Sequence, residues 1–389
     1  MAPVRTPVYL DHHATTPLDP AVLERMTAVL RDHFGNPSSK HAFGWAAAAL
    51  LQEARERVAA LLDAPPDAVI LVSGATEANN LALKGLAAAR GETGRIVVSP
   101  LEHPSVREPL GELAAAGWEV TELPCGSDGI VDPDDVARAL ARPADLVVVL
   151  AAQNEIGTLQ PVAAIAALCR ERGVPLHVDA AQAAGKVPLP GGEARPDLVA
   201  VSAHKLYGPK GSGALVVPDP RLRRRLRPLL TGGGQEQGLR AGTPAVADAV
   251  GLGEACRVAA ERAAADAERL DRLGRLFLET LREAVPDLAV NGHPVRRLPG
   301  SWNLRFPGTR AAEVMRSART LALSTGAACS SEEGKVSPVL LALGLSREEA
   351  ASSLRICLGR FTTEEETLYA AERLAAAVRA ARRQRSGRP

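Results

Sequence analysis

The sequence predicts an α/β fold: a mainly parallel central sheet covered by helices, with a smaller companion unit. Two features carry that expectation. Short β-branched runs alternate with Ala-rich helical stretches, which is the pattern of strands buried on both faces and joined by helical crossovers. The composition agrees, since hydrophobic residues make up 46% of the 389 residues while aromatics supply only 3%, so the interior has to be built from Ala, Val, Leu and Ile.

Along the chain, Asp19 and Pro20 open a helix that runs to about Leu30, with an acceptor at the N-cap and proline in the first turn. Phe34 to Ser39 is turn-rich, and a second helix is expected from about Ala46 to Leu62. Val69 to Val72 reads as a short strand that enters Ser73-Gly74-Ala75-Thr76 and a further helix. Ile96–Ser99, Glu119–Glu122, Leu146–Leu150, Leu176–Asp179, Leu198–Ser202 and Ala214–Val217 continue the strand series. After Ala245 the texture changes to a long Ala/Arg/Glu helix reaching about Val285, then a strand at Ser301 to Phe306 and a last helix from Glu364. The Arg-rich run Arg221 to Arg227 reads as a solvated helix face.

A formal net charge of +1 supplies no overall field to attract nucleic acid or an anionic membrane, so any acidic ligand must be met locally. No apolar stretch is long enough for a bilayer span, and no secretory leader precedes the first strand, so a cytoplasmic protein is expected. Cys125, Cys169, Cys256, Cys329 and Cys357 are scattered without a Cys-x-x-Cys or Cys/His cluster, which argues against a metal site and a disulfide framework.

With only six lysines, each can be judged singly. Lys84 falls in a helix, Lys40 and Lys186 in polar turns, and Lys335 in a charged loop, where a solvated ammonium is the ordinary state. Lys205 differs, because it follows the apolar strand ending at Ser202 and precedes the glycine-rich 208–213 segment. Ligands of parallel sheets gather at the carboxyl ends of strands. Asp179 ends another strand, where a carboxylate can pair with a protonated pyridine nitrogen, although Asp-Ala-Ala-Gln reads equally as a helix N-cap. Gln182 suits a phenolic oxygen or a capping box, and His103 suits ring stacking and proton transfer or an ordinary loop. Backbone N–H groups at Ala75 and Thr76, with the Thr76 hydroxyl, suit a phosphate, to which Ser202 and His204 could add contacts. Gly232-Gly233-Gly234 suits a phosphate or a flexible connector.

These residues stand in a longer pattern. Tyr9-Leu10-Asp11, Ala14-Thr15-Thr16-Pro17, Phe34-Gly35-Asn36-Pro37-Ser38-Ser39, Ser73-Gly74-Ala75-Thr76-Glu77, Asn154-Glu155-Ile156-Gly157, His177-Val178-Asp179-Ala180, His204-Lys205, Arg240-Ala241-Gly242-Thr243 and Leu358-Gly359-Arg360-Phe361-Thr362 occur in order across nearly the whole chain. The chain thereby resembles the class I cysteine desulfurases, pyridoxal-phosphate enzymes of the aminotransferase class V superfamily that supply sulfur for iron-sulfur clusters and tRNA thiolation. The resemblance implies pyridoxal-phosphate fold type I, with a large cofactor-binding domain at 15–260 and a small domain formed by 1–14 and 261–389.

By the same resemblance Lys205 would hold the cofactor as a Schiff base, Asp179 would meet the pyridine nitrogen, Gln182 the phenolic oxygen, and His103 would stack on the ring and shuttle protons. Ala75, Thr76, Ser202 and His204 would hold the phosphate, with Thr243 reaching the cofactor of a neighbouring subunit in a homodimer. Asn154 and Arg355 would engage the substrate carboxylate. Cys329, in the small-residue run Ser324 to Ser331, would take sulfur from L-cysteine as a persulfide and pass it to an acceptor protein, leaving alanine.

Glu332, Glu333 and Lys335 depart from the small or apolar residues more frequent in relatives, which bears on thiolate formation and acceptor choice. The Arg-rich C-terminal end departs from the longer segment with which housekeeping relatives dock their scaffold. The alternatives are selenocysteine lyase or another transferase of the same cofactor, and a catalytically silent scaffold. Direct nucleic-acid or membrane binding is not expected.

Overall fold

The computed structural model describes residues 4–325 and 336–386. A first short strand, β1 (Val8–Tyr9), is followed by the strands of the large sheet: β2 (Val69–Val72), β3 (Arg95–Val98), β4 (Glu119–Glu122), β5 (Leu146–Leu150), β6 (Leu176–Asp179), β7 (Leu198–Ser202) and β8 (Gly213–Val216). They form a seven-stranded sheet in the order β2-β8-β7-β6-β5-β3-β4. β8 pairs antiparallel to both β2 and β7, and the other pairings are parallel. Every strand of this sheet except β8 therefore ends at the same edge. β2, β3, β5, β6, β7 and β8 are buried at every position, as the near-continuous Val/Leu/Ile runs require of strands covered on both faces.

Around this sheet run α1 (Pro20–Asp32), α2 (Ala42–Leu61), α3 (Ala75–Arg90), α4 (Pro104–Ala115), α5 (Pro133–Ala139), α6 (Val162–Glu171) and α7 (Pro220–Arg225). The Asp19 carboxylate caps α1 by accepting from the Ala21 N–H, as its sequence signal predicts. α2 begins four residues before the expected Ala46, because His41 accepts from the Gly44 N–H and acts as the cap. Imidazole is not a usual cap, so that start was hidden. One apolar cluster fills the layer between the sheet and α2, α6 and the first turns of α8 (Val246–Ala284), and a second packs α3, α4 and α7 on the opposite face.

The remaining strands are β9 (Ala289–Asn291), β10 (Ser301–Arg305), β11 (Leu321–Ala322) and β12 (Ser353–Cys357), with α9 (Ala311–Ser317), α10 (Pro338–Ala342), α11 (Arg347–Ala351) and α12 (Glu364–Ser386). β12, β10 and β9 form a three-stranded antiparallel sheet, and β1 pairs parallel with β11. Their core joins Val8 and Leu10 to Leu273, Phe277, Phe306, Leu354 and Leu374, so the chain's first strand packs with its last third. No helix among the described residues is long and apolar enough to cross a membrane.

Candidate active site

The carboxyl edge of the large sheet opens into a cavity of about 550 Å³. Its wall carries Ala75, Thr76, His103, Asn154, Asp179, Gln182, Ser202, His204, Lys205 and Arg355, together with His13 and Ala14. Residues spread over most of the sequence meet there because most follow a strand that ends at this edge, the exceptions being Arg355, which β12 contributes from the small sheet, and His13 and Ala14, which follow β1. Thr243 is exposed and lies off this wall, between Gly242 and Pro244, which border a separate depression with Ser73 and Arg240. Cys329, with Glu332, Glu333 and Lys335, lies outside the described residues.

The turn from β2 into α3 is shaped for an anion. Gly74 sits at φ +152°, where a side chain is disfavoured, and the first N–H groups of the 16-residue α3 follow it. Gly213 lets β8 approach this turn, because a Cβ there would lie 2.6 Å from the Gly74 Cα. Ser202 and Thr76 bring hydroxyls to the same wall, and His204 holds Thr15 Oγ1 at 3.1 Å through its Nδ1. Burial, helped by repulsion from Lys205 and Lys210, pushes the His204 pKa down to about 4, so the ring is neutral at pH 7.

Asp179 is buried at the end of β6, where its Oδ1 accepts from the Ala181 N–H at 2.9 Å and its Oδ2 from Asn79 Nδ2 at 2.8 Å. The capping reading of Asp-Ala-Ala-Gln is corrected here, because a run of turns follows Asp179 and no helix does. Asn79 Nδ2 also donates to Ser105 Oγ at 2.9 Å, while its Oδ1 accepts from His177 Nε2 at 2.9 Å. Ser105 in turn meets His103 Nδ1, through its hydroxyl at 2.9 Å and its backbone N–H at 3.1 Å. Nδ1 of His103 therefore accepts, and the ring proton of the neutral form sits on Nε2. Burial is the main force lowering the His103 pKa. The result is one hydrogen-bonded chain from the Asp179 carboxylate to the His103 imidazole.

Lys205 Nζ donates to the carbonyls of His13 and Ala14, the second at 2.8 Å. Gln182 Nε2 donates to the His13 carbonyl at 2.8 Å and its Oε1 accepts from Lys186 Nζ at 3.0 Å. The expectation of a solvated Lys186 in a polar turn is corrected by this contact. Burial, with repulsion from Lys205, brings the Lys186 pKa down to about 7. Because a carbonyl can only accept, the His13 carbonyl takes the Gln182 amide N–H and leaves the Gln182 oxygen facing Lys186. Arg355 is almost fully enclosed, donating to the Asn154 carbonyl at 3.1 Å and to Asp11 Oδ1 at 2.7 Å.

A phosphorylated pyridine aldehyde fits this set. The glycine turn and hydroxyls suit the phosphate, the enclosed Asp179 carboxylate suits a protonated ring nitrogen, and Lys205 supplies an amine to the aldehyde carbon. Asn79, Ser105 and His13 were not singled out from the sequence, His177 entered only as part of its motif, and Lys186 was read as an ordinary turn lysine. The signal for the first three was position alone, since His13 sits next to motif residue Ala14, Ser105 lies two residues beyond His103, and Asn79 lies one helical turn beyond Thr76.

The family profile of class-V aminotransferases matches residues 8–369. A cysteine desulfurase of Homo sapiens is 41% identical over 375 residues, covering 96% of this chain and 82% of that protein. The cysteine desulfurase IscS of Azotobacter vinelandii is 44% identical over 380 residues, covering 96% and 93%. Among solved structures, a NifS-like protein superposes with a TM-score of 0.88 at 31% identity, covering 96% of this chain and 99% of that one.

Proposed function

The chain belongs to the class-V aminotransferase family and is a pyridoxal-phosphate-dependent cysteine desulfurase, and on that premise we propose how its own residues divide the work. Lys205 holds the cofactor through its ε-amine, Asp179 meets the ring nitrogen, Gln182 donates to the phenolic oxygen, and His103 stacks on the ring. Ala75, Thr76, Ser202 and His204 hold the phosphate. When bound, the cofactor supplies an electron sink for the pair left at Cα on proton removal. The observation that carries this reading is the convergence of Lys205, Asp179, His103 and Arg355 on one cavity at the sheet's carboxyl edge.

L-Cysteine is the substrate. Arg355 and Asn154 receive its carboxylate, for which the guanidinium fork is suited and which Asp11 orients from behind. Lys205 removes the Cα proton, and His103, with its proton on Nε2, serves the exchange of protons with the sulfur-bearing end. The Cys329 thiolate attacks the substrate sulfur: an S–S bond forms, the Cβ–S bond breaks, and its electron pair remains with the carbon fragment, which takes up one proton at Cβ, regains the one removed from Cα, and leaves as alanine. The persulfide on Cys329 then passes its outer sulfur to an acceptor protein.

Three coarser features join this proposal. Residues 15–260 form the cofactor-binding domain and 1–14 with 261–389 the small one, supported by the separate apolar cluster that unites Val8 and Leu10 with the C-terminal third. The enzyme is a homodimer, supported by exposed Leu30, Phe34, Phe43 and Trp45, of which Phe34 and Phe43 stack on each other, and by exposed Thr243, which would reach the partner's phosphate. A reducing, cytoplasmic setting is supported by the free thiols of Cys125, Cys169, Cys256 and Cys357.

The test uses purified holoenzyme with L-cysteine and a reductant, scoring alanine, sulfide and the cofactor spectrum. Wild type should form both products. Cys329→Ser should keep the spectrum and lose persulfide and sulfide, and Lys205→Ala should lose the borohydride-fixed adduct. Turnover retained in Cys329→Ser would refute the sulfur-carrier assignment, and selenide released from L-selenocysteine with no sulfide from L-cysteine, or keto-acid formation in place of sulfide, would favour a different transferase.

A further inference from the structure

Hydrogen-bond acceptors are scarce on the wall between Lys205 and Arg355. The His13 carbonyl accepts from Lys205 Nζ and from Gln182 Nε2, and the Ala14 carbonyl accepts from Lys205 Nζ. The Asn154 carbonyl accepts from Arg355 Nη1 at 3.1 Å and from His13 Nδ1 at 3.0 Å. Both Asp179 oxygens hold donors of this chain, and His103 presents its proton on Nε2, so it donates there.

His13 is the exception. A carbonyl can only accept, so its bond to Asn154 places the proton of His13 on Nδ1. The ring is kept neutral by burial and by the cations that face it, Lys186, Arg355 and Lys205. Nε2 therefore carries a lone pair, and among the described residues nothing is hydrogen-bonded to it. Among the described residues the solvent-sealed polar atoms without a partner include His12 Nδ1 and His177 Nδ1 but not His13 Nε2, which solvent can reach.

We propose that His13 is a substrate-binding residue whose Nε2 accepts a hydrogen bond from the α-amino group of bound cysteine. The inference rests on the reading that Arg355 and Asn154 receive the carboxylate. Amino and carboxylate groups share Cα, so a carboxylate there brings the amino group to the interval between Arg355 and Lys205. His13 spans that interval, bonded to Asn154 by its ring and to Lys205 by its carbonyl. An amino group in either protonation state brings N–H donors into a cavity already lined by donors, and His13 Nε2 is an acceptor there that no donor among the described residues occupies.

The test compares His13→Asn with wild type as holoenzymes. The Asn side-chain amide reaches the position of Nδ1 and keeps the bond to the Asn154 carbonyl, but nothing occupies the place of Nε2. KM for L-cysteine should rise about ten- to a hundredfold, the range for a charge-assisted hydrogen bond. Inhibition by 3-mercaptopropionate, which is cysteine without its amino group, should be unchanged, as should the visible spectrum of the cofactor. His13→Gln, which returns an acceptor near the Nε2 position, should restore much of the cysteine KM. An unchanged KM in His13→Asn, or equal weakening of cysteine and 3-mercaptopropionate in both variants, overturns the proposal. The carboxylate reading fails separately, if Arg355→Ala leaves inhibition by 3-mercaptopropionate intact.

Discussion

Replacing Asn79 by alanine tests the polar chain that joins Asp179 to His103. Asn79 is fully buried on α3, and its amide serves three partners at once: Asp179 Oδ2, Ser105 Oγ and His177 Nε2. Truncation removes a donor from a buried carboxylate, a charge-assisted bond of about 1.5–3 kcal/mol, and strands the His177 N–H, which costs about 1–3 kcal/mol. The Ser105 hydroxyl keeps His103 as a partner, so it adds little. The sum is a loss of about 2.5–6 kcal/mol, a large share of the roughly 5–15 kcal/mol that holds a folded protein together. Urea unfolding at neutral pH should therefore show a much lower midpoint with an unchanged slope. The control is the next residue: Asn80 donates to the Thr76 carbonyl on the exposed side of the same helix, so Asn80→Ala should cost no more than about 1 kcal/mol. If Asn79→Ala falls within that control, the amide contributes no net stability and the argument from burial is wrong. The same variant should retain less cofactor after dialysis, because Asp179 is no longer held.

Two further outcomes follow from burial. His12, His177 and His204 are each held near pKa 4, mainly by desolvation, against about 6.5 in an unfolded chain. Below pH 6.5 the unfolded chain binds protons that the folded one refuses, so stability is full above 6.5 and falls as pH drops toward 4. Urea midpoints measured at pH 7 and 5 should show the fall, and equal midpoints would contradict it. Burial pushes the Cys169 and Cys256 thiols up to about 12 and raises Cys357, while Cys125 is half-buried and less strongly held. Native protein treated with iodoacetamide at pH 8 should be labelled at Cys329 first and Cys125 more slowly, with the other three labelled only after unfolding. Peptide mapping that finds Cys256 labelled as fast as Cys329 would refute this order.

The sheet and the main site residues were legible because their signals are local. Apolar runs mark buried strands, and Lys205, Asp179 and Ser73 to Thr76 each follow such a run directly. The fold then brings them to one edge by topology alone. The start of α2 was misread because a histidine replaced the usual cap, and Asp179 stayed open between a cofactor contact and a helix cap because an Asx-type turn mimics a cap in sequence. Lys186 was misread for a different reason. Its neighbours Gly185 and Pro188 read as a turn, yet its environment is set by residues more than 150 positions away in the chain, such as Arg355 and Cys357. Asn79 offered no cue beyond its helix, since a polar residue on a helix face reads as solvated until the fold sets Asp179 and His177 against it.

The chain's first twenty residues show why both units are needed for one site. β1 pairs with β11 and Leu10 packs in the C-terminal core, while a few residues on Asp11 holds Arg355 and the His13 and Ala14 carbonyls hold Lys205. Thr16 Oγ1 then donates to the His204 carbonyl at 2.9 Å, and Asp19 accepts from Arg360 at 2.9 Å. One segment thus bonds to the lysine of the large sheet and to the arginine of the small one. Asp11 to Ala14 close as a turn, with the Ala14 N–H donating to the Asp11 carbonyl at 2.9 Å, so the residue that holds Arg355 and those that hold Lys205 lie within a single turn of chain. The bonds along this region tie the Lys205 amine and the Arg355 guanidinium to that one turn.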